Sequence, residues 1–241
     1  MQPEGRTKSL LDVARLTAGY GRIQVLWGVD LRVHEHESVV LLGANGSGKT
    51  TLLKTLMGLM DAWAGRTNFD GEDITRLRTD HRVRRGIVYM SEASGFVGLT
   101  VEENILIGAQ FLRRSEIRGR AEELYAAFPA LAERRRALAG SLSGGQRKML
   151  GIAKALAGNP RLLIMDEPSA GLSPLFVKEV VRILAQFRDH NLALLIAEQN
   201  VKFLQLADRV YTLDNGRIGF SGTVAEMHQN DALRRAYFGL K

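Results

Sequence analysis

The chain has 241 residues, enough for one large domain or two small ones and ample for a proper core. It contains no cysteine, which excludes disulfides, thiolate metal sites and a cysteine nucleophile; no apolar run approaches the roughly 20 residues that cross a bilayer. The net charge of +7 sits in small basic clusters, 81–85, 113–114 and 134–136, with acidic residues among them. Solvated faces explain that pattern; contact with anionic lipid heads is the second reading.

In chain order, residues 1–8 carry no apolar core and read as a mobile tail. From residue 9 short runs alternate apolar and polar residues, broken by a turn at Gly19–Gly21. This predicts an antiparallel β layer, followed by a buried strand at Ser38–Leu42. The stretch "KTTLLKTLMGLM" has helical apolar spacing. Residues 101–158 are mostly helical in pattern, and "RLLIMD" (161–166) and "LALLIAE" (192–198) are strand-length apolar runs, as expected of central parallel strands covered on both faces. The helix "PLFVKEVVRILAQFRDH" separates these two strands, and a hairpin turning at Asn215-Gly216 follows. Strands alternating with helices predict an α/β fold. The expected organisation is one domain over 9–241, with a core of about 9–90 and 159–241 and an inserted α-helical subdomain of about 91–158.

Three motifs carry chemistry. In "LLGANGSGKTTLL" (41–53), Gly43, Asn45, Gly46, Ser47, Gly48, Lys49 and Thr50 complete a phosphate-loop pattern between a strand and a helix. The glycines let backbone N–H groups point inward, and the helix start adds positive potential. Lys49 supplies charge for the β- and γ-phosphates, Thr50 can ligate Mg²⁺, and Thr51 reaches the α-phosphate. Next, Asp166 and Glu167 end a buried strand, where α/β folds place their ligands. Asp166 can hold Mg²⁺ and Glu167 is a general-base candidate, although such a pair can also be a helix cap. Third, in "SLSGGQRK" (141–148) Ser143 can cap a helix while Gly144 and Gly145 expose its first N–H groups, making a second anion-binding helix start.

Leu142-Ser143-Gly144-Gly145-Gln146, between a full phosphate loop and an Asp-Glu strand end, resembles the signature motif of the ATP-binding cassette (ABC) ATPases. The resemblance covers essentially the whole chain after the tail. It implies a P-loop NTPase core of ABC type, ATP and Mg²⁺ as ligands, and two cassettes paired head to tail. Ser143, Gly144, Gly145 and Gln146 of one cassette would then close over the ATP held by the other. Tyr20 matches the aromatic that stacks on adenine; a plain turn tyrosine is the alternative.

Three positions depart from the commonest family pattern. Glu92 stands where a glutamine is usual, and could touch Mg²⁺ or be a surface acid. Ser173 stands for an aspartate, and Gln199 for the histidine that faces the γ-phosphate. These departures, with "LTVEENILIG" and "LRRAYFGLK", resemble the second ATPase of branched-chain amino-acid uptake transporters; urea and amide importers look similar. "SEASGF" (91–96) lacks the proline and arginines usual there, which leaves the substrate open. The expected function is the ATP-hydrolysing subunit of an importer. It would lie peripherally on the cytoplasmic face of the inner membrane, paired with an identical or different ATPase. Separate permease subunits and, indirectly, a substrate-binding protein would be its partners. An amide can donate to the γ-phosphate but cannot titrate, so Gln199 is expected to position it while Glu167 acts as base. A soluble ABC ATPase acting on nucleic acid or the ribosome is the competing class. The single phosphate loop and the lack of a heptad run speak against it, and no nucleic acid is expected as a partner. A phosphate-loop kinase would not need the signature motif.

Overall fold

The computed structural model describes residues 8–91, 95–188 and 191–238. The chain opens with two long strands, β1 (Ser9–Tyr20) and β2 (Ile23–His34), joined by a tight turn at Gly21, whose φ of 59° is left-handed. They pair antiparallel, and β4 (Ala64–Phe69) and β5 (Glu72–Asp73) extend them into a four-stranded sheet of order β2-β1-β4-β5, with β3 (Ser38–Leu42) lying elsewhere.

The second sheet has the order β10-β9-β3-β8-β7-β6. Its members are β3, β6 (Ile87–Met90), β7 (Leu162–Asp166), β8 (Ala193–Glu198), β9 (Arg209–Asp214) and β10 (Arg217–Gly222). β6, β7, β8, β3 and β9 run parallel; β10 returns antiparallel through Asn215 (φ 46°) and Gly216 (φ 73°), both left-handed as a type I′ hairpin turn requires. Every residue of β3, β7 and β8 is buried, which is why these strands read as continuous apolar runs rather than alternating ones.

Alternation across β3 divides the interior. Val39 and Leu41 face a cluster with Leu11, Leu31, Leu195 and the leucines of α1 (Lys49–Met57), between the sheet and the β layer. Val40 and Leu42 face the opposite cluster, filled by helices: α6 (Gly144–Ala157) through Leu150 and Leu156, and α7 (Pro174–Arg188) through Val180 and Leu184. Each fully buried leucine contributes on the order of 2 kcal/mol before entropy is subtracted. Between β5 and β6 lies α2 (Thr79–Arg84), and α8 (Val224–Gln229) and α9 (Asp231–Phe238) finish the chain.

Between β6 and β7, residues 101–157 carry four α-helices joined by turns: α3 (Val101–Gly108), α4 (Arg114–Ala127), α5 (Pro129–Ala132) and α6. α3 starts at a capping box in which Thr100 and Glu103 satisfy each other's backbone N–H groups. It lies so close to α6 that a Cβ on Gly108 would come within 2.1 Å of the Lys154 carbonyl. These helices share one hydrophobic cluster with the sheet face and α7.

α1 is terminated by an unusual cap. Arg82 is 2% exposed, and its guanidinium donates to the carbonyls of Thr55, Leu56, Thr75 and Leu77 at 2.6–3.1 Å. Its charge thus sits at the negative end of α1, and burial lowers its pKa to about 10. The tail through Thr7 lies outside the described residues, whereas Lys8 pairs with Asp70 and Glu35.

Candidate functional site

β3, β7 and β8 end side by side. Leu42 is in register with Glu198, and Asp166 with Ala197. The segments that leave these ends, 43–48, 167–173 and 199–200, therefore meet at one rim of the sheet, where an open α/β sheet forms its ligand crevice.

The phosphate loop takes its shape from its small residues. A Cβ on Gly43 would lie 2.5 Å from Ser47 Oγ and 2.6 Å from the Leu213 carbonyl, so no larger residue fits. Gly46 (φ 80°) and Gly48 (φ 106°) are left-handed, and Gly48 opens α1. Lys49 is 4% exposed; its Nζ donates to the Gly43 and Ala44 carbonyls at 2.9 and 3.1 Å. Thr50 is exposed on the first turn of α1, while Thr51 is buried and donates to the Tyr20 hydroxyl at 3.4 Å. Tyr20 itself, at the end of β1, is half exposed.

Glu167 joins this loop directly. Its Oε1 lies 3.2 Å from Lys49 Nζ and accepts from Gln199 Nε2, also at 3.2 Å. The same amide nitrogen donates to Asn45 Oδ1. Lys49, Glu167, Gln199 and Asn45 thus form one connected polar group drawn from three segments. Glu167 has φ 45°, rare for a residue with a side chain, and is held there by its N–H donating to the Ala197 carbonyl at 2.9 Å. Asp166 is 5% exposed; its Oδ2 accepts from the Tyr89 hydroxyl at 3.1 Å, and its Oδ1 is buried without a hydrogen-bond partner. Burial and the neighbouring Asp166 carboxylate push the Tyr89 phenol well above its ordinary pKa, so it stays a donor.

Among the described residues, no hydrogen bond joins the expected lid residues Ser143, Gly144, Gly145 and Gln146 to the phosphate loop. Ser143 and Gln146 bond each other in a capping box at the start of α6, with Ser143 accepting from Gln146 N at 3.3 Å. α6 packs on α3, α4, α5 and β6, whereas α1 packs on β1, β2 and β6–β8. Gly144 is exposed with open space where a Cβ would be. Gly145 is not: its Cβ would meet the Phe176 ring at 2.8 Å. One of the two glycines thus answers to a neighbouring ring as well as to any ligand. Glu92 lies outside the described residues.

Sequence reasoning did not assign Tyr89 or Glu198. A tyrosine within a short apolar strand carried no distinctive signal. The acid that ends "LALLIAE" did, because a lone carboxylate at the tip of a buried strand needs partners.

The family model described as "ABC transporter" matches residues 26–170. The chain is 38% identical over 232 residues to the high-affinity branched-chain amino acid transport ATP-binding protein BraG of Pseudomonas aeruginosa, covering 95% of this chain and 100% of that protein. It is 37% identical over 234 residues to the lipopolysaccharide export system ATP-binding protein LptB of Escherichia coli, covering 95% and 97%. A crystal structure of an ATP-binding cassette of an ABC transporter in its ADP conformation superposes with a TM-score of 0.85 at 27% identity, over 97% of this chain and 100% of that one. With relatives this similar along nearly its whole length, the protein belongs to the ABC transporter family as one of its ATP-binding, ATP-hydrolysing subunits.

Proposed function

We propose that this chain binds ATP with Mg²⁺ in loop 43–51 and hydrolyses it with Glu167 as general base, and that this drives uptake of branched-chain or other hydrophobic amino acids through separate membrane subunits. The observation that carries the mechanism is the junction of Lys49, Glu167, Gln199 and Asn45 at one sheet rim. Lys49 takes the β- and γ-phosphates, and its ion pair with Glu167 is exchanged for them. Glu167 is then free to accept the proton of an attacking water, while the Gln199 amide donates to the γ-phosphate. Tyr20, half exposed, offers its ring to adenine.

The residues present fit Mg²⁺. Asp166 keeps one buried oxygen without a hydrogen-bond partner at the end of β7, a strand that packs on α1, whose first turn carries the exposed Thr50 hydroxyl. An ion held there would take a carboxylate, a hydroxyl and substrate phosphates as ligands. Bound there, the ion would neutralise charge developing on the phosphate oxygens.

Ser143 and Gln146 bond each other and, among the described residues, no hydrogen bond links them to the loop; this fits a second cassette, identical or different, supplying that lid. The surface for a membrane subunit is the groove between α1, α2, β6 and α3. Leu59, Phe96, Ile107 and Phe111 are exposed there, and Lys154 lies 4.5 Å above the Phe96 ring. The chain's place would be peripheral, on the cytoplasmic face of the membrane; among the described residues no helix is long and apolar enough to cross it.

Similarity to the lipopolysaccharide export protein keeps a second reading in view, the same ATPase serving an exporter. Reconstitution with its membrane subunits in proteoliposomes tests the choice. ATP-dependent leucine accumulation supports uptake; turnover that responds to lipopolysaccharide and not to leucine contradicts it.

A further inference from the structure

Glu198 is a buried carboxylate that the mechanism above does not use. It ends β8 and is 2% exposed. Its Oε1 accepts from Ser169 N at 2.7 Å. Its Oε2 accepts from Ser169 Oγ at 2.9 Å, Gln199 N at 3.1 Å and Asn200 N at 3.2 Å. Its own carbonyl accepts from Gly43 N at 3.3 Å. Among the described residues no cation pairs with it; three backbone N–H groups and one hydroxyl hold the charge. Burying a carboxylate this way is costly unless every donor is in place. Glu198 therefore fixes the relative position of three segments at once: the start of the phosphate loop, the strand exit that carries Glu167, and the turn that carries Gln199.

Glu198 itself does not reach the polar group; Gln199 and Glu167 do, and both are anchored within two residues of a bond to Glu198. Gln199 hangs from an N–H that Glu198 holds. Ser169 sits two residues after Glu167 and four before the exposed Ser173, on the segment leading to α7.

We propose that Glu198 is a positioning residue for ATP hydrolysis. It locks the Gln199 turn to segment 167–173, so that Gln199 Nε2 and the Glu167 carboxylate are held in mutual register. This rests on the reading of Glu167 and Gln199 given above. Because the carboxylate bonds both segments, a shift of Gln199 on phosphate binding is passed to residues 168–173. A misplacement of about 1 Å at the reacting atoms costs up to roughly 100-fold in rate.

The test is a kinetic cycle on the full chain, with ATP turnover and binding of a fluorescent ATP analogue both measured. Glu198→Gln keeps the shape but puts an amide N–H₂ against donors. It should lower kcat by roughly 10- to 100-fold with nucleotide affinity little changed. In a Gln199→Ala background the same substitution should lower kcat by no more than about twofold, the spread expected once the pathway is already cut. Equal factors in both backgrounds, or a rise in KM with kcat intact, overturns the proposal. If Glu198→Gln does not fold, Ser169→Ala removes one bond from a half-buried hydroxyl and should show a smaller loss with the same dependence on Gln199; an unaltered kcat overturns the proposal. Glu167→Gln and Gln199→Ala, measured alone, report separately on the underlying reading. Parent-like turnover in either contradicts that residue's role whatever Glu198 does.

Discussion

At the scale of single residues, the site's chemistry depends on a few hydrogen bonds that can be removed one at a time. Gln199→Ala deletes the amide that links Glu167 and Asn45. Losing one preorganised donor costs about 2.7–4 kcal/mol, so turnover should fall by roughly 100- to 1000-fold, with Gln199→His retaining part of it; parent-like turnover in Gln199→Ala contradicts the role. Gly145→Ala should destabilise by about 1–3 kcal/mol, because its methyl meets the Phe176 ring. Combining it with Phe176→Leu should recover part of the loss in a urea titration, and strict additivity would mean the ring is not the obstacle. The residues of the phosphate loop were legible because glycine, lysine and threonine at that spacing have few other uses. Tyr89 was not, since its partner lies 77 residues away in the chain; Glu198 showed as an acid at the tip of a buried strand, but its link to Ser169, 29 residues away, did not.

At the scale of elements, the apolar runs made β3, β7 and β8 readable, and the Asn-Gly pair made the β9–β10 turn readable. What they could not show was sheet order: β3 sits between β8 and β9, and β6 lies at the far edge. That order comes from crossovers, not from local pattern. The end of α1 was also hidden, for no periodicity announces that Arg82 reaches back to its last carbonyls. Arg82→Met leaves four carbonyls without that donor and should cost roughly 3 kcal/mol or more, read as a lower urea midpoint. A change within about 0.5 kcal/mol, as for an ordinary surface site, would show that the cap is dispensable. The segment 101–158, mostly helical in pattern, is in fact broken: α3 ends at Gly108 and α4 begins at Arg114.

At the scale of the whole molecule, a surface network joins Lys8, Glu35, Asp70 and Arg161 at the end of the sheet remote from the nucleotide. Hydrogen bonds from Arg161 and then Lys8 lower the Asp70 pKa to about 2 from the usual 3.8. The folded pKa lies below the unfolded one, so this contribution is present above about pH 4 and is lost as pH falls towards 2. Asp70→Asn should therefore lower Tm at pH 7 and converge with the parent in acid; an equal gap at both pH values contradicts the account.

Among the described residues, Ser143 and Gln146 bond each other across a capping box, and the proposed pairing of two cassettes would have each chain supply half of each working site. The direct measurement is sedimentation of Glu167→Gln, alone or mixed with the companion ATP-binding subunit, in ATP with Mg²⁺ and again in ADP. The account predicts a two-cassette species in ATP that reverts to single chains in ADP. A variant that binds ATP with ordinary affinity yet stays a single chain in both conditions would contradict it.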